Sequence, residues 1–239
     1  MSKLLDNLKI KIYADGANKE QIISLNSKTY IKGFTTNPSL MKKSGIKDYE
    51  KFSRDILETI KEKPFSLEVF ADNFKEIEAQ ARKINQWGRN VYVKIPVTNT
   101  KGHKNYNLIK ELSNEGIKLN ITAIFTKDQI NNTINVLNRD VSSIVSIFAG
   151  RIADTGVDPA SYIKFAKDLV EDKKLTEILW ASTRETFSIF EAQRIGCDII
   201  TVPHEILNKL DLLGKNLDEY SLETVKQFYK DAISSNFKL

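Results

Sequence analysis

Short apolar runs alternate along the chain with longer stretches of helical period. Eight runs read as strands: Ile10–Asp15, Ile31–Thr35, Phe65–Phe70, Val91–Ile95, Lys118–Ala123, Ser142–Phe148, Glu177–Ala181 and Asp198–Val202. Between them, apolar residues recur at three- and four-residue spacing in Asp48–Lys61, Asn73–Gln86, Asn105–Glu115, Asp128–Leu137, Pro159–Glu171 and Arg184–Gly196, the mark of amphipathic helices. Pro159 after Asp158 reads as a helix start with proline in the first turn. Gly116 and Gly196 follow helical runs where C-terminal caps fall. The tail, Leu222–Ser234, predicts one further amphipathic helix.

Strands that each precede a helix imply a parallel sheet. Eight such units in 239 residues favour closure into a single (β/α)8 barrel of the TIM type, one domain over residues 1–239, with the extra C-terminal helix. An open doubly wound sheet is the alternative. No Gly-x-Gly-x-x-Gly follows the first strand, which weakens a dinucleotide-binding reading. No linker-like, low-complexity or repeated segment interrupts the pattern.

Along a strand, successive side chains point to opposite faces. In Val91–Ile95, the apolar Val91, Val93 and Ile95 suit the helix layer, so Lys94 points into the barrel. By the same reasoning Asp15 opposes Ile10, Ile12 and Ala14, and Glu68 opposes Leu67, Val69 and Ala71. Asn120 and Thr122 oppose Leu119, Ile121 and Ala123; Ser146 and Phe148 oppose Val145 and Ile147; Ser182 opposes Leu179 and Ala181. Six strands therefore aim polar groups inward, mostly near their carboxyl ends, where barrel enzymes keep their chemistry. Buried charge without partners is expensive, so lysine, aspartate and glutamate converging there point to catalysis.

Composition narrows the field. The chain is 41% hydrophobic and 28% charged with a net charge of +5, but its charges are scattered and mixed in sign, as in Glu171–Lys174. That describes solvated helix faces rather than a nucleic-acid surface. No apolar run is long enough to span a membrane, and the amino terminus lacks the apolar core of a signal peptide. A single cysteine, Cys197, rules out an intramolecular disulfide and suits a cytoplasmic setting; it reads as a buried filler residue. His103 and His204 are far apart and make no metal-ligand pattern.

The converging groups suggest a specific chemistry. A lysine amine shielded from water loses its proton more readily, and the neutral amine attacks a ketone to form an imine. The protonated imine accepts electrons when a neighbouring carbon–carbon bond breaks. A carboxylate, Asp15 or Glu68, would take the proton of the hydroxyl at that bond, directly or through a water. Thr122 would orient such a water, and Asn37 and Asn120 would hold hydroxyls. Arg151 and Arg184 each follow an inward-reading strand end. With a serine hydroxyl beside them they make a phosphate clamp. No metal or organic cofactor is required, because the imine is itself the electron sink.

The segments IYADGAN (12–18), GFTTNPSL (33–40), SLEVFA (66–71), VYVKIPVT (91–98), GIKLNITAIFT (116–126), SIFAGRIADTG (146–156), ILWASTRE (178–185) and CDIITVPHEIL (197–207) run in the order found in transaldolases, and the chain resembles the short microbial form of that family over nearly its whole length. The resemblance implies a (β/α)8 barrel with Lys94 as the Schiff-base residue. Asp15 would handle the proton of the C4 hydroxyl, Glu68 would work through a water, and Thr122 would position that water. Thr35, Asn37 and Asn120 would line the pocket around the dihydroxyacetone portion. Ser146, Arg151, Ser182 and Arg184 fall where the family holds phosphate or nearby polar contacts.

The relatives include fructose-6-phosphate aldolases, which carry Gln at the place of Glu68 and Tyr at the place of Phe148. The residues here therefore favour transfer of a three-carbon unit between sugar phosphates, in the non-oxidative pentose phosphate pathway, over its release. The alternatives are an aldolase-type lyase and a non-catalytic sugar-phosphate binding barrel. A homo-oligomer, possibly a ring-based decamer, is also implied by resemblance; a nucleic-acid or membrane partner is not.

Overall fold

The computed structural model describes Leu5 and residues 7–237; the outer limits expected for the domain, residues 1 and 239, lie outside them. Eight strands, β1 (Lys11–Asp15), β2 (Ile31–Thr35), β3 (Phe65–Glu68), β4 (Val91–Pro96), β5 (Leu119–Ile124), β6 (Ser143–Ile147), β7 (Thr176–Trp180) and β8 (Ile199–Pro203), run in parallel. Each pairs with the next in sequence, and β8 pairs with β1 to close the barrel. That last pairing excludes the open sheet. The expected third strand stops two residues early. The N–H groups of Phe70 and Ala71 donate to the Gln80 side chain, so they leave the ladder.

The helices follow in order: α1 (Lys19–Asn26), α2 (Pro38–Lys43), α3 (Tyr49–Thr59), α4 (Phe74–Asn85), α5 (Tyr106–Asn114), α6 (Lys127–Val136), α7 (Ala149–Asp154), α8 (Ala160–Leu169), α9 (Phe187–Arg194), α10 (His204–Leu207) and α11 (Leu217–Ser234). Their starts are written in side chains that satisfy orphan amides. Asp48 accepts from the Lys51 N–H and Asn73 from the Glu76 N–H, while Thr126 and Gln129 form a reciprocal capping box. Asp158 accepts from the Ala160 N–H, with Pro159 already in helical conformation. Gly116 and Gly196 end helices at φ +84° and +78°, as expected of C-terminal caps. α9 begins at Phe187, not at Arg184; residues 184–186 form the loop above β7.

Two apolar clusters fix which way each strand faces. The larger lies between strands and helices and contains Ile12, Phe34, Leu67, Val93, Ile121 and Ile147 against Ile56, Ile77, Ile109 and Ile130. The smaller fills the barrel interior with Tyr13, Tyr92, Ile144, Leu179, Ala181 and Ile199. Burying one such aliphatic side chain contributes about 1.5–3 kcal/mol, so each strand keeps the phase that buries most. Gly33 is required on β2: a Cβ there would lie 2.6 Å from the Tyr13 ring, which crosses the interior.

Two expected phases are corrected. On β7 it is Ile178 and Trp180 that face the helices, while Leu179 and Ala181 face the interior. Trp180 packs in the outer layer with Ile178. On β5 a bulge between Ile121 and Ile124 sends both isoleucines outward. Ala123, at φ +59°, turns towards the interior with Thr122.

The expected tail helix is present as α11, longer by one turn at its start. All of its side chains are exposed in the single chain, including Leu217, Phe228, Tyr229 and Ile233. Among the described residues, no helix is long and apolar enough to cross a membrane.

Candidate active site

The carboxyl ends of the strands surround a cavity of about 470 Å³. Eleven of the twelve expected site residues line it: Asp15, Thr35, Asn37, Glu68, Lys94, Thr122, Ser146, Phe148, Arg151, Ser182 and Arg184. They come from every strand end but that of β8, so barrel closure, not local sequence, brings them together.

Lys94 sits near the floor, 7% exposed. Its Nζ lies 2.9 Å from Glu68 Oε2 and 3.3 Å from the Thr36 carbonyl oxygen. β3 and β4 hold this pair in register, Glu68 beside Lys94. The hydrocarbon stem crosses the apolar interior while the amine opens to the cavity. A carboxylate at 2.9 Å is placed to take a proton from the amine or return one.

Asp15 ends β1 beside Thr35, whose hydroxyl donates to Asp15 Oδ1 at 2.7 Å. Burial holds the Asp15 carboxyl above the usual carboxylate range. Lys94 and the Thr35 hydrogen bond pull it down less strongly, and Glu68 adds to the rise. An acid so placed gives up and takes back a proton closer to neutrality.

Thr122 is buried, and its Oγ1 has no partner among the described protein atoms. Such an orphaned hydroxyl, on a residue that lines the cavity, calls for a further polar partner. Asn120 is the expected residue that does not line the cavity. It lies beside Lys94 on β5 and spans the interior, donating to Ser66 Oγ at 3.0 Å and accepting from Ser146 Oγ at 2.6 Å. It therefore fixes the Ser146 hydroxyl that does face the cavity. Asn37 caps α2 by accepting from the Leu40 N–H; its amide nitrogen remains for a ligand.

The rim carries the two arginines. The Phe148 ring is held between Phe125, 5.4 Å away, and the Arg151 guanidinium at 5.2 Å. Arg184 Nε and Nη2 lie 3.0 and 2.5 Å from Asp154 Oδ2, and this hydrogen-bonded pair keeps the Asp154 carboxyl below its usual range. Asp154 thus aims Arg184 while leaving its other N–H groups free. Ser182 reaches the rim through a left-handed backbone at φ +66° rather than by strand alternation. Its carbonyl lies so close to Gly150 that a Cβ there would sit 1.7 Å from the oxygen. Only glycine lets α7, which bears Arg151, start against the loop that bears Arg184.

Four contributors had gone unread. Thr201 of β8 lines the cavity and hydrogen-bonds to Thr35. Ser66 supports Asn120, Asp154 aims Arg184, and Pro203 closes the wall beside Asp15. Ser66 lies at the second position from Glu68, already read as inward, so alternation would have found it; the eighth strand offered no such reference, because its run Ile199, Ile200, Val202 is apolar on both faces. Asp154 follows Arg151 by three positions on one helix. Cys197 lies away from the cavity, buried, its thiol pushed up to about 12 by burial, as suits a filler residue.

Comparison with known proteins gives the family. The family model described as Transaldolase/Fructose-6-phosphate aldolase matches residues 12–239. A protein of Nitrosopumilus maritimus named as a probable transaldolase is 35% identical over 224 residues, covering 93% of this chain and 94% of its own. One of Methanococcus maripaludis with the same name is 36% identical over 202 residues, covering 84% and 89%. Among solved structures, KGPDC from Streptococcus mutans superposes with a TM-score of 0.56 at 7% identity, covering 84% of this chain and 90% of that one, a likeness of fold alone. With a family model spanning almost its full length, the chain belongs to the transaldolase/fructose-6-phosphate aldolase family.

Proposed function

We propose that the protein is a transaldolase: it moves a dihydroxyacetone unit from a ketose phosphate, sedoheptulose 7-phosphate or fructose 6-phosphate, to an aldose phosphate, glyceraldehyde 3-phosphate or erythrose 4-phosphate. The observation that carries this reading is the buried Lys94 amine 2.9 Å from Glu68, in a cavity that also holds Asp15 and two arginines.

Lys94 Nζ passes a proton to Glu68 and attacks the C2 carbonyl. Glu68, through a water held at Thr122, supplies and removes the protons as the carbinolamine loses water to give the iminium. Asp15 takes the C4 hydroxyl proton, the C3–C4 bond breaks, and its electron pair flows to the iminium nitrogen, leaving an enamine. The shortened aldose phosphate departs. The enamine attacks the acceptor aldehyde, Asp15 returns its proton to the new hydroxyl, and water hydrolyses the iminium to free Lys94. Arg151 and Arg184 hold the phosphate, so that binding far from the bond orients it. Asn37, Thr35 and Ser146 receive the hydroxyls of the three-carbon unit, with Asn120 behind Ser146. Phe148 has no hydroxyl with which to activate water near the enamine, so the intermediate waits for an acceptor.

This activity belongs to the pentose phosphate pathway in the cytoplasm. The chain works as a homo-oligomer, which the exposed apolar side chains of α11 support. A panel of donors and acceptors with product analysis tests the reading. Erythrose 4-phosphate should accumulate from sedoheptulose 7-phosphate only when glyceraldehyde 3-phosphate is present. Steady release of dihydroxyacetone without acceptor would instead assign the aldolase reaction.

A further inference from the structure

We propose that Thr201 is a positioning residue for Asp15: its hydroxyl donates to Thr35 Oγ1, which donates to Asp15 Oδ1, and this chain of two hydroxyls sets how readily Asp15 holds a proton. The inference rests on the reading of Asp15 as the group that handles the substrate hydroxyl proton.

The geometry is a chain across three strands. Thr35 of β2 stands beside Asp15 of β1 and bonds to it at 2.7 Å. Thr201 comes from β8, on the other side of β1, and its Oγ1 meets Thr35 Oγ1. Both threonines are buried, Thr35 at 2% and Thr201 at 6% exposure. The Thr201 carbonyl accepts from Thr183 Oγ1 at 2.8 Å, which pins the end of β8.

Proton counting gives the chain its direction. A hydroxyl has one hydrogen to donate. When Asp15 is ionised, the Thr35 hydrogen goes to the carboxylate, so the Thr35–Thr201 bond must use the Thr201 hydrogen. Both dipoles then point at the charge, and each bond strengthens the next. When Asp15 takes up a proton on Oδ1, that proton faces Thr35 and the order reverses. Thr35 donates to Thr201, and the Thr201 hydrogen is released to the cavity that Thr201 lines. Proton transfer at Asp15 is thereby coupled to the hydroxyl a bound ligand meets at Thr201. A valine would fill the same space without desolvating a hydroxyl, so packing alone does not account for threonine here.

The other charged groups facing Asp15 stay in place when that hydroxyl is removed. They are Lys94 on β4 and Glu68 on β3, with Arg151 and Arg184 on the rim and His204 of α10 lining a small recess next to Asp15.

The test is a carboxyl titration by carbon-13 NMR on the full chain labelled at aspartate, with Asp15→Asn assigning the resonance. Thr201→Val should move the Asp15 midpoint up by about half to one pH unit, and Thr201→Ser, which keeps the hydroxyl, should restore it. In kinetics, the acid limb of kcat/KM for donor cleavage should move by the same amount. A Thr201→Val midpoint equal to that of the wild type, or a serine variant displaced as far as the valine one, overturns the proposal. The titration needs no substrate, so it separates the two readings. If borohydride traps no sugar on Lys94, the transaldolase reading fails while the midpoint still decides the hydroxyl chain. If trapping succeeds and the midpoint does not move, only the chain fails.

Discussion

The two ends of the barrel differ in a way that size alone would misjudge. The amino-terminal end has the larger depression, about 720 Å³ among Lys11, Lys167, Lys173, Glu171, Glu177 and Asp198, against about 470 Å³ at the mouth. At the amino-terminal end five of these six charged groups have partners: Lys11 pairs with Glu177 at 2.7 Å and Lys167 with Asp198 at 2.6 Å, while Lys173 donates to the Ile134 and Leu137 carbonyls. These groups are partly exposed, and water screens them. At the mouth, Lys94 and Glu68 are nearly buried, and Thr122 keeps an unpaired hydroxyl. A large hollow lined by solvated ion pairs is a surface. A smaller one into which a fold forces a lysine and two acids has the makings of a reaction site.

The comparison is sharpened most by Asp15→Asn. Donor cleavage should fall about 100- to 10,000-fold, the usual loss on removing a general base. Stability should move the other way. Asp15 keeps its proton to higher pH in the fold than in the unfolded chain, so its contribution to stability is full below the ordinary carboxylate value. That contribution is lost as pH rises through the raised one. Asparagine escapes that loss. In urea unfolding the variant should therefore be more stable than wild type at neutral pH, with the gain fading towards about pH 4. Equal stability at both pH values would count against the strained acid.

Gly33→Ala comes next. The added methyl meets the Tyr13 ring, and overpacking of this kind costs about 1–3 kcal/mol, readable as a lower urea midpoint. An unchanged midpoint would mean that the Tyr13 ring has room to move away from Gly33. The smallest effect belongs to the opposite end. Lys11→Met breaks an exposed pair, 49% and 26% accessible at its two side chains, and should cost about 1 kcal/mol or less with kcat/KM unchanged. A large loss of activity there would erase the distinction between the two ends.

The sequence carried the barrel because each strand alternates cleanly where both of its faces are apolar or plainly polar. Lys94, Glu68 and Asp15 were legible from neighbours such as Val93, Ile95 and Leu67, which must face the helices. Alternation failed where the backbone departs from a regular strand. The bulge at Ala123 and the left-handed Ser182 reverse or replace the period, and Leu179 and Ala181 were misplaced because the larger Trp180 was the residue that claimed the helix layer. Thr201 escaped notice on a strand otherwise apolar, where Ile199 and Ile200 give alternation no way to tell the interior from the helix side. The Arg184–Asp154 pairing joins segments 30 residues apart, and no local pattern reports it.

The central claim is that the Lys94 amine is the nucleophile. Borohydride reduction in the presence of fructose 6-phosphate, followed by peptide mass mapping, tests it most directly. The account predicts a reduced three-carbon or six-carbon sugar adduct on Lys94 alone, absent in Lys94→Met with its circular dichroism unchanged. An adduct on another lysine, or turnover with no adduct at all, would contradict it.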